Sequence, residues 1–262
     1  MKDAALVNVR CAVRPGEHFR FSDRGSSTCV FCIHGRPGNS LLMEPFDTWC
    51  EQQSYDCYRY DQFSCRDRDG FHGDSEQLLA ILVKELYQHL SKFEGRDLLI
   101  VAHSFGAVLL CETLLRYEFA QQRIKIVLSG FCPEREEFLL TNQRRLDSYA
   151  REGNEHHVEQ RFFDLHICGR RFLSAEQLQA FQMPPMGNIS LRNSYLDLLS
   201  AMRCPVLITY GSEDICTDYQ VAKICECLVD CHVVQFPGAA HYPFIERAQA
   251  YFHELDRFMS TG

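Results

Sequence analysis

The segment DLLIVAHSFGAVLL, residues 97–110, constrains the fold more than any other part of the sequence. Its branched apolar residues are typical of a buried strand, and after His-Ser-Phe-Gly the apolar residues follow helical spacing. A strand that leads so directly into a helix needs a very tight turn, which strains its central residue by about 1–3 kcal/mol. Ala102 and Gly106 are small residues two positions either side of Ser104. The pattern therefore predicts a serine hydroxyl exposed above the end of a core strand.

Periodicity along the rest of the chain predicts strands that alternate with helices. The predicted strands are 7–13, 18–22, 28–33, 55–61, 98–102, 124–128, 206–210 and 231–236, the first two forming a hairpin closed at Pro15-Gly16. The first predicted helix begins at a capping box formed by Asp74 and Gln77 and ends at Gly95. Further helices are predicted at 105–117, 219–228 and 244–259. This alternation implies an α/β fold, with a mostly parallel sheet and helices on both faces.

One interval, from Cys132 to Met202, shows no pattern of a buried strand. It contains charged amphipathic helices and a proline-rich connector, QMPPMGN, and a structureless loop of this length is unusual in a compact domain. We therefore expect a core formed by residues 1–131 and 203–262, with residues 132–202 inserted as a helical lid. Five apolar side chains could line the underside of this lid or attach it to the core: Phe162, Phe163, Leu165, Phe172 and Phe181.

Composition excludes several classes of partner. The formal charge is −8, from 35 acidic and 27 basic residues without a long basic run, so we expect no nucleic acid partner. No apolar run approaches the roughly 20 residues that span a bilayer, and the first residues do not resemble a signal peptide. Most of the 14 cysteines lie in apolar runs, among them Cys29, Cys32, Cys111 and Cys204, which favours reduced, buried thiols in a cytoplasmic protein.

The one tight cysteine cluster, Cys225, Cys227 and Cys231, lies in or beside a predicted helix. Positions two apart on a helix point to different faces, so we expect no metal site there.

The turn around Ser104 resembles the nucleophile elbow of the α/β-hydrolase superfamily, usually G-x-S-x-G, with Ala102 in place of the first glycine. That family orders its catalytic residues as nucleophile, acid and histidine along the chain. Here GSEDICT follows the strand PVLITY and looks like the acid loop, and PGAAHYPFIE follows CHVVQF and looks like the histidine loop. The resemblance implies Ser104 as nucleophile, Asp214 as acid with Glu213 as its rival, and His241 as the base.

The segment FCIHGRPGNS resembles the family's loop that supplies an amide to the oxyanion hole. The resemblance implies that the backbone N–H groups of Arg36 and Phe105 form this hole, and that His103 packs behind the elbow as a structural residue. The segment YDQFSCRDRDG is similar to one in proline iminopeptidase-like members. The HGGPG of that branch reads HGRPG here, and the glycines that follow its Asp-Gln are missing.

The resemblance implies a serine hydrolase that cleaves a carboxylic ester or thioester through an acyl-enzyme, with no metal or organic cofactor. The substrate would be a small acyl compound, which could be bound to a carrier protein. A proline iminopeptidase-like aminopeptidase, a C–C bond hydrolase and a ligand receptor without turnover remain alternatives. Arg36 could meet an anionic substrate, and Glu155, Glu159 and Asp164 could bind an amine, or these charged side chains could lie on solvated faces.

Overall fold

The computed structural model describes residues 18–66, 74–118, 123–152, 157–182 and 189–261. Its centre is a seven-stranded sheet with the order β1-β3-β2-β4-β5-β6-β7. The strands are β1 Phe19–Ser22, β2 Thr28–Ile33, β3 Asp56–Tyr60, β4 Asp97–His103, β5 Ile124–Ser129, β6 Val206–Gly211 and β7 Cys231–Phe236. Among the strands that the structure describes, only β1 pairs antiparallel, with β3, and the other neighbours are parallel. The predicted mostly parallel sheet is confirmed.

Helices cover both faces of this sheet, as predicted. They are α1 Glu44–Gln53, α2 Phe63–Arg66, α3 Ser75–Leu90, α4 Phe105–Arg116, α5 Arg135–Arg151, α6 Val158–Phe162, α7 Ala175–Ala180, α8 Leu196–Leu199, α9 Asp218–Cys227, α10 Pro243–Glu246 and α11 Ala248–Ser260. Helices α3, α4, α8 and α9 pack on one face. Helices α1, α10 and α11 pack on the other. The central strands are therefore buried on both sides, which explains their continuous apolar sequences.

Local differences from the predicted elements have simple causes. The last helix is divided at Arg247, whose backbone (φ −134°, ψ 40°) is not helical and whose side chain donates hydrogen bonds to the carbonyls of Pro237 and Gly238. Helix α1 was not predicted, although Pro45 near its start and the i, i+3 spacing of Phe46 and Trp49 are helical signals. The predicted strand 7–13 and the hairpin at Pro15-Gly16 lie outside the described residues.

Residues 132–202, which we call the insert segment, connect β5 to β6. Within the described residues this segment contains helices α5 to α8, a π-helical turn at Phe163–Ile167 and a 3-10 turn at Arg170–Phe172. The only β-type pairing described in it is an isolated bridge between Glu134 and Ser194. The helical character of the insert segment agrees with its amphipathic pattern, and its action as a lid stays a prediction.

Three sequence predictions concern a membrane span, the state of the cysteines and a metal site at the cysteine cluster. In the part of the chain that the structure describes, no helix is long and apolar enough to cross a membrane. Cys29, Cys32, Cys111 and Cys204 are free and buried. Cys225 and Cys231 approach to 3.7 Å between their sulfur atoms without a disulfide, and the described residues include no group of three or more ligand-type side chains that could hold a metal.

Candidate active site

Ser104 lies between β4 and α4 with φ 52° and ψ −119°, a backbone region that residues other than glycine rarely adopt. Its N–H donates to the carbonyl of Ser129 at 2.8 Å, which fixes the turn to the neighbouring strand β5. A Cβ atom on Gly106 would lie 2.4 Å from the carbonyl oxygen of Ile33. The close approach of these two chains therefore requires glycine at position 106, as the tight turn predicted.

The parallel strands bring the loops after β2, β4, β5, β6 and β7 together at the carboxyl edge of the sheet, where α/β proteins bind ligands. The loop after β2 lies directly against the elbow, because a Cβ on Gly35 would be 2.9 Å from the Cβ of Ser104. Arg36, Ser104 and Phe105 all line one cavity. Since α4 begins at Phe105, the first amides of that helix have no acceptor within it.

Asp214 and His241 join the two loops that follow β6 and β7 through their side chains. Nδ1 of His241 lies 2.6 Å from Oδ1 of Asp214, and both residues are buried. The Asp214 carboxylate also accepts a hydrogen bond from the backbone N–H of Cys216 at 2.8 Å. Glu213 is exposed, and the hydroxyl of Ser212 donates to its carboxylate. Asp214 is therefore the carboxylate that faces the imidazole.

Gly130, directly after β5, lies against the imidazole ring of His241. Its φ is +59°, and a Cβ there would lie 2.6 Å from both Nδ1 and Cε1 of His241. Its backbone N–H donates to the carbonyl of Thr209 at 2.8 Å. The sequence analysis did not single out this glycine, although a glycine directly after a core strand was the available signal.

The second ring nitrogen of His241, Nε2, is buried and has no hydrogen-bond partner among the described residues. The His103 ring lies 4.6 Å from the His241 ring, centroid to centroid, and is fully buried between it and Tyr242. Burial lowers the pKa of His103 well below its usual range, and the neighbouring His241 lowers it further. His103 therefore packs behind the elbow as a neutral side chain.

His34 holds the loop that follows β2. Its Nδ1 donates to the carbonyl of Gly35 at 2.8 Å, and its Nε2 accepts from the backbone N–H of Gln62 at 3.2 Å. The side-chain amide of Gln62 donates to the carbonyl of His34 at 2.7 Å. Burial lowers the pKa of His34 to about 4, so the neutral ring keeps both contacts at neutral pH.

Two side chains of the insert segment donate hydrogen bonds to the acid loop. Nη1 of Arg145 donates to the carbonyl of Asp214 at 2.8 Å, and Nδ1 of His166 donates to the carbonyl of Glu213 at 2.6 Å. Burial lowers the pKa of His166, so its neutral Nε2 accepts from the hydroxyl of Tyr149 at 2.7 Å. Nothing in the sequence pattern pointed to these contacts, because they join residues far apart in the chain.

The histidine loop is attached to the same insert segment. The N–H of His241 donates to the carbonyl of Ile167 at 3.0 Å. The buried carboxylate of Glu246 accepts from the N–H of Gly169 at 2.8 Å and from that of Ala240. Glu246 thus ties the insert segment and the histidine loop together, a role that sequence analysis missed.

The cavity at Ser104 has a volume of about 560 Å³ and a mainly apolar wall. Of the five apolar residues expected under the insert segment, only Phe181 lines the cavity. The other apolar lining residues described in that segment are Cys132, Phe138, Leu139, Ile189, Leu191 and Tyr195. Of the three acidic residues considered for amine binding, Glu159 and Asp164 do not line it, and Glu155 lies outside the described residues. Asp164 instead pairs with Arg170, which lowers the pKa of its carboxyl. Arg36 lines the cavity together with Arg135 and Arg192.

Comparison with known proteins agrees with this architecture. A family model described as "Alpha/beta hydrolase family" matches residues 30–254. A proline iminopeptidase of Lactobacillus crispatus is 22% identical over 270 residues, which covers 90% of this chain and 91% of the relative. That of Lactobacillus acidophilus is 21% identical over 280 residues, with 94% of each chain covered.

Solved structures share the fold at low sequence identity. The crystal structure of VinJ superposes with a TM-score of 0.75 at 17% identity, covering 95% of this chain and 98% of its own. The proline iminopeptidase of Mycobacterium smegmatis gives 0.73 at 15% identity, with 93% and 95% covered. An esterase from Exiguobacterium antarcticum gives 0.68 at 15%, with 94% and 97% covered.

Proposed function

We propose, from the premise that the chain belongs to the alpha/beta hydrolase family, that this hydrolase cleaves a carboxylic ester or thioester through an acyl-enzyme. The observation that carries this proposal is the buried Asp214–His241 pair, 2.6 Å apart. Ser104 is held in a strained turn directly after His103, whose ring packs against that of His241, and it lines a mainly apolar cavity. The apolar chain of a small acyl compound, free or attached to a carrier, suits this apolar wall.

In the proposed first step, Oγ of Ser104 attacks the carbonyl carbon of the substrate while Nε2 of His241 takes the hydroxyl proton. Asp214 accepts from Nδ1 of the imidazole, which fixes the tautomer with a free Nε2 and stabilises the imidazolium that forms. Nε2 has no hydrogen-bond partner among the described residues, so no other group competes for it. The hydrogen bond between Nε2 and Ser104 can form when substrate binds, because catalytic hydrogen bonds often tighten only then.

The tetrahedral intermediate would place its oxyanion at the backbone N–H groups of Phe105 and Arg36. One such donor lowers the barrier by about 3–4 kcal/mol in serine hydrolases. His241 then gives its proton to the departing alkoxide or thiolate, leaving the acyl group on Ser104. Water attacks this ester by the same steps in reverse, which releases the acid. These steps use only side chains and amides of this chain.

Among the alternatives, an aminopeptidase has support from the relatives but not from the cavity. Recognition of a substrate ammonium requires a carboxylate, and no aspartate or glutamate is among the described residues that line the cavity. A C–C bond hydrolase would use the same three residues, with no observation that favours it over an ester. The ligand receptor differs from all of these by the absence of turnover.

We further propose that the insert segment closes over the cavity as a lid, because its residues Phe138, Leu139 and Leu191 form part of the wall. A cytoplasmic location also belongs to the proposal. The 13 free thiols of the described cysteines, most of them buried, support it, since disulfides are rare in a reducing compartment.

A fluorophosphonate probe followed by intact mass measurement tests the nucleophile. We expect one adduct on the wild-type protein and none on Ser104→Ala. Ser64→Ala is the matched control, because Ser64 lines the same cavity and its described side-chain contact is with Sγ of Cys65, so it should keep the adduct. A folded wild-type protein that forms no adduct and hydrolyses no ester would overturn the proposal and favour the receptor.

A further inference from the structure

The charged lining of the cavity at Ser104 consists of three arginines, Arg36, Arg135 and Arg192, without a described acidic residue. This is opposite in sign to the chain as a whole, which has 35 acidic residues against 27 basic ones. A cleft lined by one sign of charge between low-dielectric walls concentrates the electrostatic potential. We propose that the substrate carries an anionic group, a carboxylate or a phosphate, which Arg135 and Arg192 bind. This inference rests on the proposed function, because it takes the cavity at Ser104 as the substrate site.

Arg192 retains charge for a ligand although it has a partner in the protein. Its Nε lies 3.6 Å from Oε1 of Glu112, a carboxylate that is only 1% exposed. Nη2 of Arg116 lies 3.1 Å from the other oxygen of the same carboxylate, and the hydroxyl of Tyr195 donates to Oε1 at 2.9 Å. One carboxylate between two guanidinium groups leaves a net charge of +1. Arg192 is the member of this group that, with Tyr195, faces the cavity.

Arg135 and Arg192 are held in a fixed relation by the backbone. The N–H of Arg135 donates to the carbonyl of Asn193 at 2.9 Å, and the N–H of Tyr195 donates to the carbonyl of Pro133 at 3.0 Å. The isolated bridge between Glu134 and Ser194 lies between these two hydrogen bonds. The two chain segments therefore run side by side, which places the backbones of both arginines close together on the insert-segment side of the cavity.

The acidic residues that lie next to Arg135 in the sequence are outside the cavity lining. The carboxylate of Glu137 accepts from the hydroxyl of Thr141 at 2.7 Å, and Glu136 is exposed in the first turn of α5. The backbone N–H of Glu134 donates to the side chain of Gln220 on α9, and Oε2 of Glu134 has no hydrogen-bond partner among the described residues. None of these three acidic residues lines the cavity.

Arg36 extends the positive charge to the nucleophile end of the cavity. Its guanidinium carbon lies 5.4 Å from the centre of the Phe105 ring, beside the elbow. Apolar side chains, among them Val108, Phe138 and Leu191, line the same cavity. The lining thus fits a substrate that has both an apolar part and an acidic group. Arginine suits such a group because its planar donors match carboxylate and phosphate oxygens.

Two pairs of substrates distinguish the sources of the anion. For a carboxylate, p-nitrophenyl hexanoate is compared with mono-p-nitrophenyl adipate, in which a carboxylate replaces the terminal methyl group. For a phosphate, hexanoyl-pantetheine is compared with hexanoyl-4′-phosphopantetheine, which differs from it only by the phosphate. The readout is the ratio of kcat/KM between the anionic and the neutral member, after subtraction of spontaneous hydrolysis. We expect at least one ratio of about 10 or more for the wild-type protein, as for hydrogen bonds to charged groups.

The variant with Arg135→Gln and Arg192→Gln should bring that ratio close to 1. Arg116→Gln should lower the ratio part of the way, because the Glu112 carboxylate then has Arg192 as its one described guanidinium partner and the net charge of the group falls from +1 to 0. Arg144→Gln, on the same helix α5 as Arg135 and outside the cavity lining, is the matched control for the loss of a positive charge and should keep the wild-type ratio. The preference should also weaken as ionic strength rises.

Failure of the inference and failure of the proposed function give different results. If the neutral esters are hydrolysed in a Ser104-dependent way and both ratios are near 1, the proposed function survives and the anionic substrate is overturned. If no ester is hydrolysed, calorimetric binding of the adipate and hexanoate esters to Ser104→Ala decides. A preference for adipate that the double arginine variant loses supports the inference, and equal or absent binding of both esters overturns it.

Discussion

Nη1 of Arg145 lies 2.8 Å from the backbone carbonyl oxygen of Asp214, so a helix of the insert segment holds the residue that contacts His241. His166 makes the equivalent bond to the preceding carbonyl, that of Glu213, at 2.6 Å. Two successive carbonyls of one loop are thus fixed by side chains from the insert segment. The orientation of the Asp214 carboxylate therefore depends on residues outside the sheet.

Replacement of Arg145 by methionine should lower kcat for an ester by about tenfold with a smaller change in KM, because a hydrogen bond from a charged donor is lost. Arg145→Lys should restore part of kcat, since a cationic donor returns to the loop. Arg144→Met is the control, because Arg144 lies next to Arg145 on α5, is exposed and should not affect the rate.

Active-site titration with the fluorophosphonate probe separates positioning from a general loss of folded protein. A looser Asp214–His241 contact activates Ser104 less, so kcat per titrated site should fall in Arg145→Met. An unchanged kcat per titrated site, with fewer titrated sites, would mean that Arg145 acts only on stability.

Gly130→Ala should lower kcat/KM by about 100-fold or more, because the new methyl group would lie 2.6 Å from the His241 ring and displace it. Gly95→Ala is a matched control. Gly95 also has positive φ, +83°, but nothing lies within 4 Å of an added Cβ. Both variants should lose about 1–2 kcal/mol of stability to the left-handed backbone. Equal activity in the two variants, measured with the same ester, would contradict the close contact between Gly130 and His241.

His34 should make folding stability depend on pH between about 4 and 6.5. Burial lowers its pKa in the folded protein to about 4, whereas an unfolded histidine titrates near 6.5. The unfolded chain therefore binds the proton first, and the free energy of unfolding should fall as the pH drops through this range. The share of His34 is about 3 kcal/mol if the full difference is expressed.

Two measurements check the His34 prediction. Urea unfolding at pH 7 and pH 4.5 gives the change in stability, to which the buried His103 adds in the same direction. Imidazole chemical shifts from NMR separate the residues, and His34 should stay neutral down to about pH 5. A His34 resonance that titrates near 6.5 would refute the prediction. It would mean that protonated Nε2 can lie opposite the N–H of Gln62, two donors facing each other, without a cost in free energy.

The strand–turn–helix at Ser104 and the alternating elements around it were predictable because their causes are local. Branched apolar runs become buried strands, and the small residues Ala102 and Gly106 are what a tight corner demands. The division at Arg247 was missed, since helical periodicity continues across the break that the side chain's bonds to Pro237 and Gly238 accompany. Helix α1 was missed although its signals were present in the sequence.

The candidate site divides in the same way. By itself the sequence determined the order of Ser104, Asp214 and His241 and their places after β4, β6 and β7, because strand ends and loop residues follow from local pattern. Only the tertiary structure decided that Asp214, and not Glu213, faces the imidazole, that Gly130 lies beneath it, and that the insert segment holds both loops. These features are contacts between segments far apart in the chain, so they arise only when the sheet and the insert segment pack together.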